Sequence, residues 1–534
     1  MNNFKITLIS AVAIFALAGC GASKKVYDIS AMAVKAPFGI TKKTPLKEDE
    51  LKRWSHLDIQ KDTVPGMSVD KAYAELLKDK TGVKVIVGVV DSGVDIEHED
   101  LKSVIWTNEN EIANNGIDDD KNGYIDDVHG WNFLGDAVNE NLEMTRIQKK
   151  GDDGSEIYKN SKLAYDEKLK ESESSKNQVD FIFKALNEVS NYLKKENFTL
   201  DEVQAITTTE PSLLRSKKVM TNIIGQVGPD FRDNLNDYKD HVDEQVKYHL
   251  NLAFNGRKVI GDDPNDFKDK KYGNNNVTGP DKEMAHHGTH VAGIIAQSRK
   301  NNLGGDGVAN NVEIMAVRAV PNGDEYDKDV ALAIRYAVDN GAKVINTSFG
   351  KYFSPNKQWV YDAIKYAAKK DVLIVHSAGN ESKDNDKEIN FPNDHDGKDK
   401  EFGDNVLTIG ALNFELGDKI AAGFSNYGTK NVDVYAPGVK IYATTPNNSY
   451  KFLEGTSMAS PNVAGVAALI RSYYPKLSAS QVKHILMDSG VAISTTLMVG
   501  EEGKESRTFA SLSKSGKIVN AYNALLLADK MTKK

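Results

Sequence analysis

Short, strongly apolar, β-branched runs recur along this chain, and they suit a sheet that is covered on both faces. The first, Val83 to Val90, reads VKVIVGVV. A strand with one wet face alternates apolar and polar residues, whereas a near-continuous run marks a strand buried on both sides. Runs of the same kind follow at Val312 to Val320, Lys343 to Asn346, Val372 to His376 and Val406 to Ile409. Segments of helical period lie between them. Asp327 to Asn340 puts Val330, Ile334, Ala337 and Val338 on one face, and Lys357 to Lys370 forms a second helix. The alternation predicts an α/β fold in three layers, with a mainly parallel central sheet between helices. In sheets of this kind the site lies beyond the carboxyl ends of the strands.

Residues 134–272 depart from this pattern. They are highly charged and read as helical, with Val179, Ile182, Phe183, Leu186, Val189 and Leu193 on one face of an amphipathic helix. Thr199-Leu200-Asp201-Glu202 has the form of a capping box, with Phe198 and Val203 placed for a hydrophobic staple. The segment is expected to be a helical insertion into the domain that spans residues 54–534.

The first residues read as an export signal. Lys5 precedes an apolar stretch from Ile6 to Ala16, too short to span a bilayer as a helix. Leu17-Ala18-Gly19-Cys20 follows and resembles the bacterial lipoprotein processing box. The resemblance implies removal of residues 1–19 and lipidation of Cys20, the only cysteine of the chain. Residues 20–53 then form a tether rich in Lys, Ala, Thr and Pro. The expected location is the bacterial cell envelope, at the outer membrane in a Gram-negative cell. One cysteine excludes an intramolecular disulfide, and a net charge of −8 spread along the chain argues against a nucleic-acid partner.

Three segments at predicted strand ends or helix starts carry chemistry. Asp91-Ser92-Gly93 follows the first buried run, His287-Gly288-Thr289-His290 leads into an apolar helix, and Gly455-Thr456-Ser457-Met458 precedes a helix expected from about Asn462 to Tyr474. Hydrolysis of an amide by covalent catalysis needs a nucleophile, a base and a group that orients the base. Ser, His and Asp supply these roles, and the chain order Asp, His, Ser is one of the known orders of that triad. VVDSGVD, HGTHVAG and GTSMASP resemble the three signature blocks of the subtilase family. Ser377-Ala378-Gly379-Asn380 resembles the block that carries the oxyanion Asn, and Ser348-Phe349-Gly350 the strand that pairs with substrate backbone. The resemblance extends from about residue 54 to the C-terminus, outside the insertion. It implies a serine endopeptidase with Asp91, His287 and Ser457 as catalytic residues, Asn380 as oxyanion donor, Ser348, Phe349 and Gly350 as substrate-binding residues, and polypeptide substrates. Asp95, His286, His290 and Ser460 are the neighbours that could compete for these roles. A catalytically inactive binding lipoprotein on the same scaffold, or an esterase or peptide ligase with the same triad, is the alternative function.

No cofactor is expected for the chemistry. Asp118-Asp119-Asp120-Lys121-Asn122-Gly123-Tyr124-Ile125-Asp126 has oxygen groups at alternating positions and a turn Gly at the sixth, the front of an EF-hand-like loop. The expected calcium ligands are Asp118, Asp120, Asn122, Tyr124 and Asp126, with Asp127 as a further oxygen because the twelfth position is His129. Two features depart from small secreted subtilases. Asp91 and His287 lie 196 residues apart, and the residues between Cys20 and Val83 lack the look of a folding prodomain.

Overall fold

The computed structural model describes residues 45–397 and 400–533. Cys20, the signal segment and most of the tether lie outside them. Glu48–Lys52, within the segment read as tether, is helical, and Leu46 and Leu51 pack against the main core. Among the described residues no helix is long and apolar enough to cross a membrane.

Thirteen strands run through the described residues in the order β1 (Val85–Asp91), β2 (Gly130–Asn132), β3 (Val312–Arg318), β4 (Val344–Thr347), β5 (Leu373–Ser377), β6 (Val406–Leu412), β7 (Val434–Pro437), β8 (Ile441–Thr445), β9 (Ser449–Leu453), β10 (Val491–Ala492), β11 (Thr496–Val499), β12 (Glu505–Thr508) and β13 (Lys517–Ile518). Nine of them form one sheet, ordered β10-β13-β7-β6-β5-β4-β1-β3-β2. Every neighbouring pair is parallel except β10 with β13. The fold is therefore α/β with a mainly parallel central sheet, as the apolar runs predict. β1 shows why those runs are continuous. Val85, Val87 and Val89 enter one core, with the helices His286–Ala296 and Thr456–Tyr473. Ile86 and Val90 enter the other, with the helices Asp327–Asp339 and Lys357–Lys369. Gly88 points the same way, where an added Cβ would press on Ala337 at 3.0 Å.

The connectivity creates a crevice beside β1. β3 and β2 lie to one side of it and β4 to β7 to the other, so the chain changes direction across the sheet at the carboxyl ends of β1 and β4. Asp91 ends β1, Ser348 follows β4 and Asn380 follows β5.

Between β2 and the helix His286–Ala296 stand the helices Glu143–Lys150, Glu156–Leu193, Leu200–Gln204, Pro211–Val227 and Phe231–Glu244. The last four share a small core of their own around Leu186, Val189, Val203, Met220 and Phe231. Local signals start these helices. The Ser155 side chain accepts from Tyr158 N–H, Thr199 and Glu202 exchange capping-box hydrogen bonds, and Pro211 takes the first helical position. Where this segment returns to the sheet, Arg257 is buried with bonds to the carboxylates of Asp329 and Asp262, at 2.7 Å to the latter. Lys328 joins Asp262 at 2.7 Å, and Tyr272 O–H donates to Asp329 at 2.5 Å.

Replacing Arg257 by Met leaves two buried carboxylates short of a partner. Breaking one side of a buried ion pair typically costs about 3–5 kcal/mol, and a loss of this size is expected in denaturant unfolding of the Arg257→Met protein.

Candidate active site

Asp91 is 1% exposed, and its Oδ1 accepts from His287 Nδ1 and from Ser92 N–H, both at 2.7 Å. The approach depends on Gly288, where a Cβ would collide with Gly93 O and lie 3.1 Å from Asp91 Oδ1. The burial of His287 opposes its protonation, but the charge of Asp91 and its hydrogen bond outweigh this and hold the pKa above the ordinary 6.5. The neighbouring candidates have other work. Asp95 accepts from Asn447 N–H at 3.1 Å and pairs with Lys282 at 2.9 Å. His290 is buried beneath the β8–β9 hairpin, with Nε2 3.1 Å from both Ile441 O and Lys451 O, and burial pushes its pKa down to about 3. His286 is exposed, with Nδ1 3.2 Å from Glu283 O.

Ser457 is the second residue of the helix Thr456–Tyr473. The sequence reading starts this helix near Asn462, after Pro461. The structure corrects that boundary to Thr456, and the proline stands inside the helix. A proline cannot donate to the carbonyl four residues back, here Ser457 O. Ser348 Oγ donates to it instead, at 2.9 Å. The support is a relay: Ser460 Oγ donates to Asn346 Oδ1 at 2.7 Å, and Asn346 Nδ2 donates to Ser348 Oγ at 2.8 Å. Ser460 thus fastens the helix to β4. The Ser457 hydroxyl itself donates to Ser348 O at 3.1 Å.

Asn380 is oriented by its oxygen. Oδ1 accepts from Thr456 N–H at 2.8 Å and from Thr456 Oγ1 at 2.9 Å, which turns Nδ2 away from the helix. Gly455, with φ +149°, makes the space in front of it. A Cβ on Gly455 would lie 3.5 Å from both Asn380 Nδ2 and Ser457 N, so the two nitrogens border the same space. Asn426 braces the same loop, accepting from Glu381 N–H at 3.0 Å and Lys383 N–H at 2.9 Å. Thr456, the Ser348 side chain and Asn426 go unassigned in the sequence reading; Thr456 lies within the GTSMASP block, where its place beside Ser457 was the available signal. His287, Asn380, Ser457 and Met458 line one cleft of about 450 Å³, with His286, Lys440, Phe452, Leu453 and Glu454. Phe349 and Gly350 continue from β4 beside it, and a Cβ on Gly350 would lie 2.7 Å from Asn390 Oδ1.

The acidic loop between β1 and β2 assembles a different set from the expected one. Asp118 turns to Asn122 N–H and Gly123 N–H, at 3.0 and 2.9 Å. Asp126 turns to Asn115 N–H and Gly116 N–H, both at 3.0 Å. Glu111, Asp120 and Asp127 instead bring carboxylate oxygens within 4.8 Å of one another. Asn122 stays beside this group through Nδ2, which donates to Asp120 at 3.1 Å and Asp127 at 3.0 Å, while Tyr124 packs its ring on Trp131. Burial pushes the Asp127 carboxyl up to about 6 against hydrogen bonds from Tyr336, Asn122 and Asn108. An all-oxygen group of like charges, partly desolvated, fits a hard cation such as calcium. Such an ion would neutralise the carboxylates and tie the loop together, with no part in bond cleavage.

Residues 82–510 match the Subtilase family (Peptidase S8), and the chain belongs to that family. It is similar to a thermophilic serine proteinase of Bacillus sp. (strain AK1), 43% identical over 191 residues that make up 36% of this chain and 43% of the relative. It is also similar to subtilisin DY of Bacillus licheniformis, 37% identical over 217 residues, covering 40% of this chain and 74% of the relative. A solved protease from Pseudoalteromonas arctica PAMC 21717 matches 45% of this chain and 70% of its own at 29% identity, with a TM-score of 0.37.

Two outcomes follow from the site. Thr456→Val removes one of the two bonds that orient Asn380, and we expect kcat to fall by about tenfold with KM little changed, since a donor that strengthens in the transition state acts on kcat; an unchanged kcat would refute that role. Calcium at a hundredfold excess over Kd should stabilise the protein by about 2.7 kcal/mol. Thermal unfolding with calcium and with EDTA measures this, and Asp127→Asn should abolish the difference.

Proposed function

We propose that this chain is a serine endopeptidase that cleaves extracytoplasmic proteins through an acyl-enzyme on Ser457, held at a bacterial membrane by lipid on Cys20. The observation that carries the reading is the 2.7 Å bond from His287 to buried Asp91, beside a cleft that His287 shares with Ser457 and Asn380. Lipidation rests on the Leu17-Ala18-Gly19-Cys20 sequence, outside the described residues.

In this mechanism the Ser457 hydroxyl turns from Ser348 O to Nε2 of His287 and attacks the scissile carbonyl while His287 takes its proton. Asp91 keeps the Nδ1–H tautomer and stabilises the imidazolium. The carbonyl oxygen becomes an alkoxide in the space before Gly455, facing Asn380 Nδ2 and Ser457 N–H. Losing one side-chain donor of this kind costs about 2.7–4 kcal/mol of barrier. His287 then protonates the departing amine, and water repeats the sequence in reverse to release the acid. The backbone of Ser348, Phe349 and Gly350, running on from β4, offers an edge on which an extended polypeptide adds as a strand.

The neutral form of His287 is the base, so kcat/KM should fall as pH drops through its pKa. That acid limb is expected above 6.5, and a limb below it would contradict the Asp91 pairing. The same pairing stabilises the fold fully below the unfolded pKa and ceases to do so as pH rises through the folded one.

A fluorophosphonate probe and a denatured-protein digest test the activity. The wild type should label and cleave, and Ser457→Ala should do neither. Wild type that does neither would leave the binding-scaffold reading in its place.

A further inference from the structure

The segment on which a substrate backbone would lie is pinned at both ends, and one of the pins comes from the helical insertion. At its start, Ser348 exchanges hydrogen bonds with Ser457, at 2.9 and 3.1 Å. At its end stands Lys351, directly after Gly350. Lys351 pairs its backbone with Phe391, N–H to O at 3.0 Å and O to N–H at 2.9 Å. Its ammonium is buried, 3% exposed, and meets Glu143 Oε2 at 2.9 Å, Asp327 Oδ1 at 2.9 Å and Glu325 O at 2.7 Å. Only Phe349 and Gly350 lie between the two pins.

Glu143 is the first residue of the first helix of the insertion. Its backbone N–H donates to Asp324 Oδ2 at 2.7 Å. Its carboxylate also binds the Arg146 guanidinium, which itself donates to Asn141 O at 2.9 Å, Asp324 O at 2.7 Å and Glu325 O at 3.0 Å. Burial opposes ionisation of Glu143, but Arg146 and Lys351 outweigh it and hold its pKa down to about 2, so it is charged at every working pH. Two buried cations, Lys351 and Arg146, thus meet the buried carboxylates of Glu143 and Asp327, and the buried Glu325 carboxyl lies near Lys351. Removing the charge of Glu143 turns the ionic tie between Lys351 and the insertion into at most a neutral hydrogen bond and leaves Asp327 as the carboxylate paired with Lys351.

We infer that the insertion sets the grip on extended substrates: Glu143, through Lys351, is a positioning residue for the Ser348–Gly350 segment that receives the acyl side of a polypeptide. The inference rests on the peptidase reading above. It differs from a plain structural staple in what it perturbs. Glu143 touches neither the Asp91–His287 pair nor the oxyanion donors, and Ser348 keeps its own bonds to Ser457, so chemistry on a substrate that needs no backbone pairing is expected to be preserved. Binding of an extended chain is weakened.

The test uses the full chain with Glu143→Gln, which keeps shape and removes charge, and Glu143→Asp, which keeps charge and shortens reach. Three probes are compared well below each variant's unfolding midpoint: an internally quenched peptide extended on the acyl side, a minimal activated ester, and fluorophosphonate labelling. For Glu143→Gln the peptide KM is expected to rise about five- to tenfold, with its kcat, ester turnover and labelling rate changed by less than about twofold. Glu143→Asp is expected to give a smaller rise in the peptide KM alone. An unchanged peptide KM in both variants overturns the inference, as does a parallel fall of all three readouts, which would mark general loss of the folded site. Wild type inert toward all three probes would overturn the peptidase reading and this inference with it; active wild type with unchanged variants overturns this inference alone.

Discussion

The hydrogen bond between Asp91 and His287 closes a stretch of 196 residues, and the rest of the molecule is arranged so that this closure holds. Loop-closure entropy grows only slowly with length, each doubling adding about 0.6 kcal/mol. A long connection is therefore tolerable if its ends are rigid. Here one end is a strand buried on both faces, and the other is a helix whose glycine lets it come up against the aspartate. What lies between folds on its own small core and touches down at two buried ionic clusters. One is built on Glu143, Arg146 and Lys351, and the other on Arg257, Asp262, Lys328 and Asp329. The added helices thus impose little on the Asp–His contact itself. Their contacts fall instead on Lys351, in the segment that follows β4, and on the helix that begins at Asp327.

The second dependence is the fit of the Ser457 helix to β4. Each side supplies what the other lacks: the helix offers a carbonyl that its own proline cannot serve, and the strand offers a hydroxyl that can. The same helix start holds Asn380 through Thr456. Ser457 and Asn380 are consequently set by one helix end, and a small shift there would move both together.

Much of this was legible in the chain because it depends on local pattern. β-branched runs mark strands whose two faces are covered, and Asp91, His287, Ser457 and Asn380 sit in short blocks with their glycines beside them. Other features depend on partners far away in sequence. Glu143 and Arg257 belong to a stretch that reads as solvated, because a charge bound by Lys351 or Asp329 looks no different in sequence from one bound by water. Alternation of oxygens within the acidic loop pointed to Asp118 and Asp126. It could not show that both would turn to backbone N–H groups while Glu111, from an earlier turn, took a place beside Asp120 and Asp127. The early start of the Ser457 helix is hidden for a related reason, since the carbonyl that Pro461 cannot serve, Ser457 O, is met by the Ser348 hydroxyl from 109 residues before Ser457.

That proline also ties the arrangement around Ser457 to the assembled sheet. A helix that completed its own hydrogen bonds could present Ser457 as soon as the local chain coiled. This one waits for β4, and β4 lies between β1 and β5 in a sheet of non-local parallel pairings. The setting of Ser457 is thus a product of the assembled sheet as well as of its own segment. Asp91, His287, Ser457 and Asn380 come from four segments far apart in the chain, so their arrangement exists only where the parallel sheet has brought those segments together.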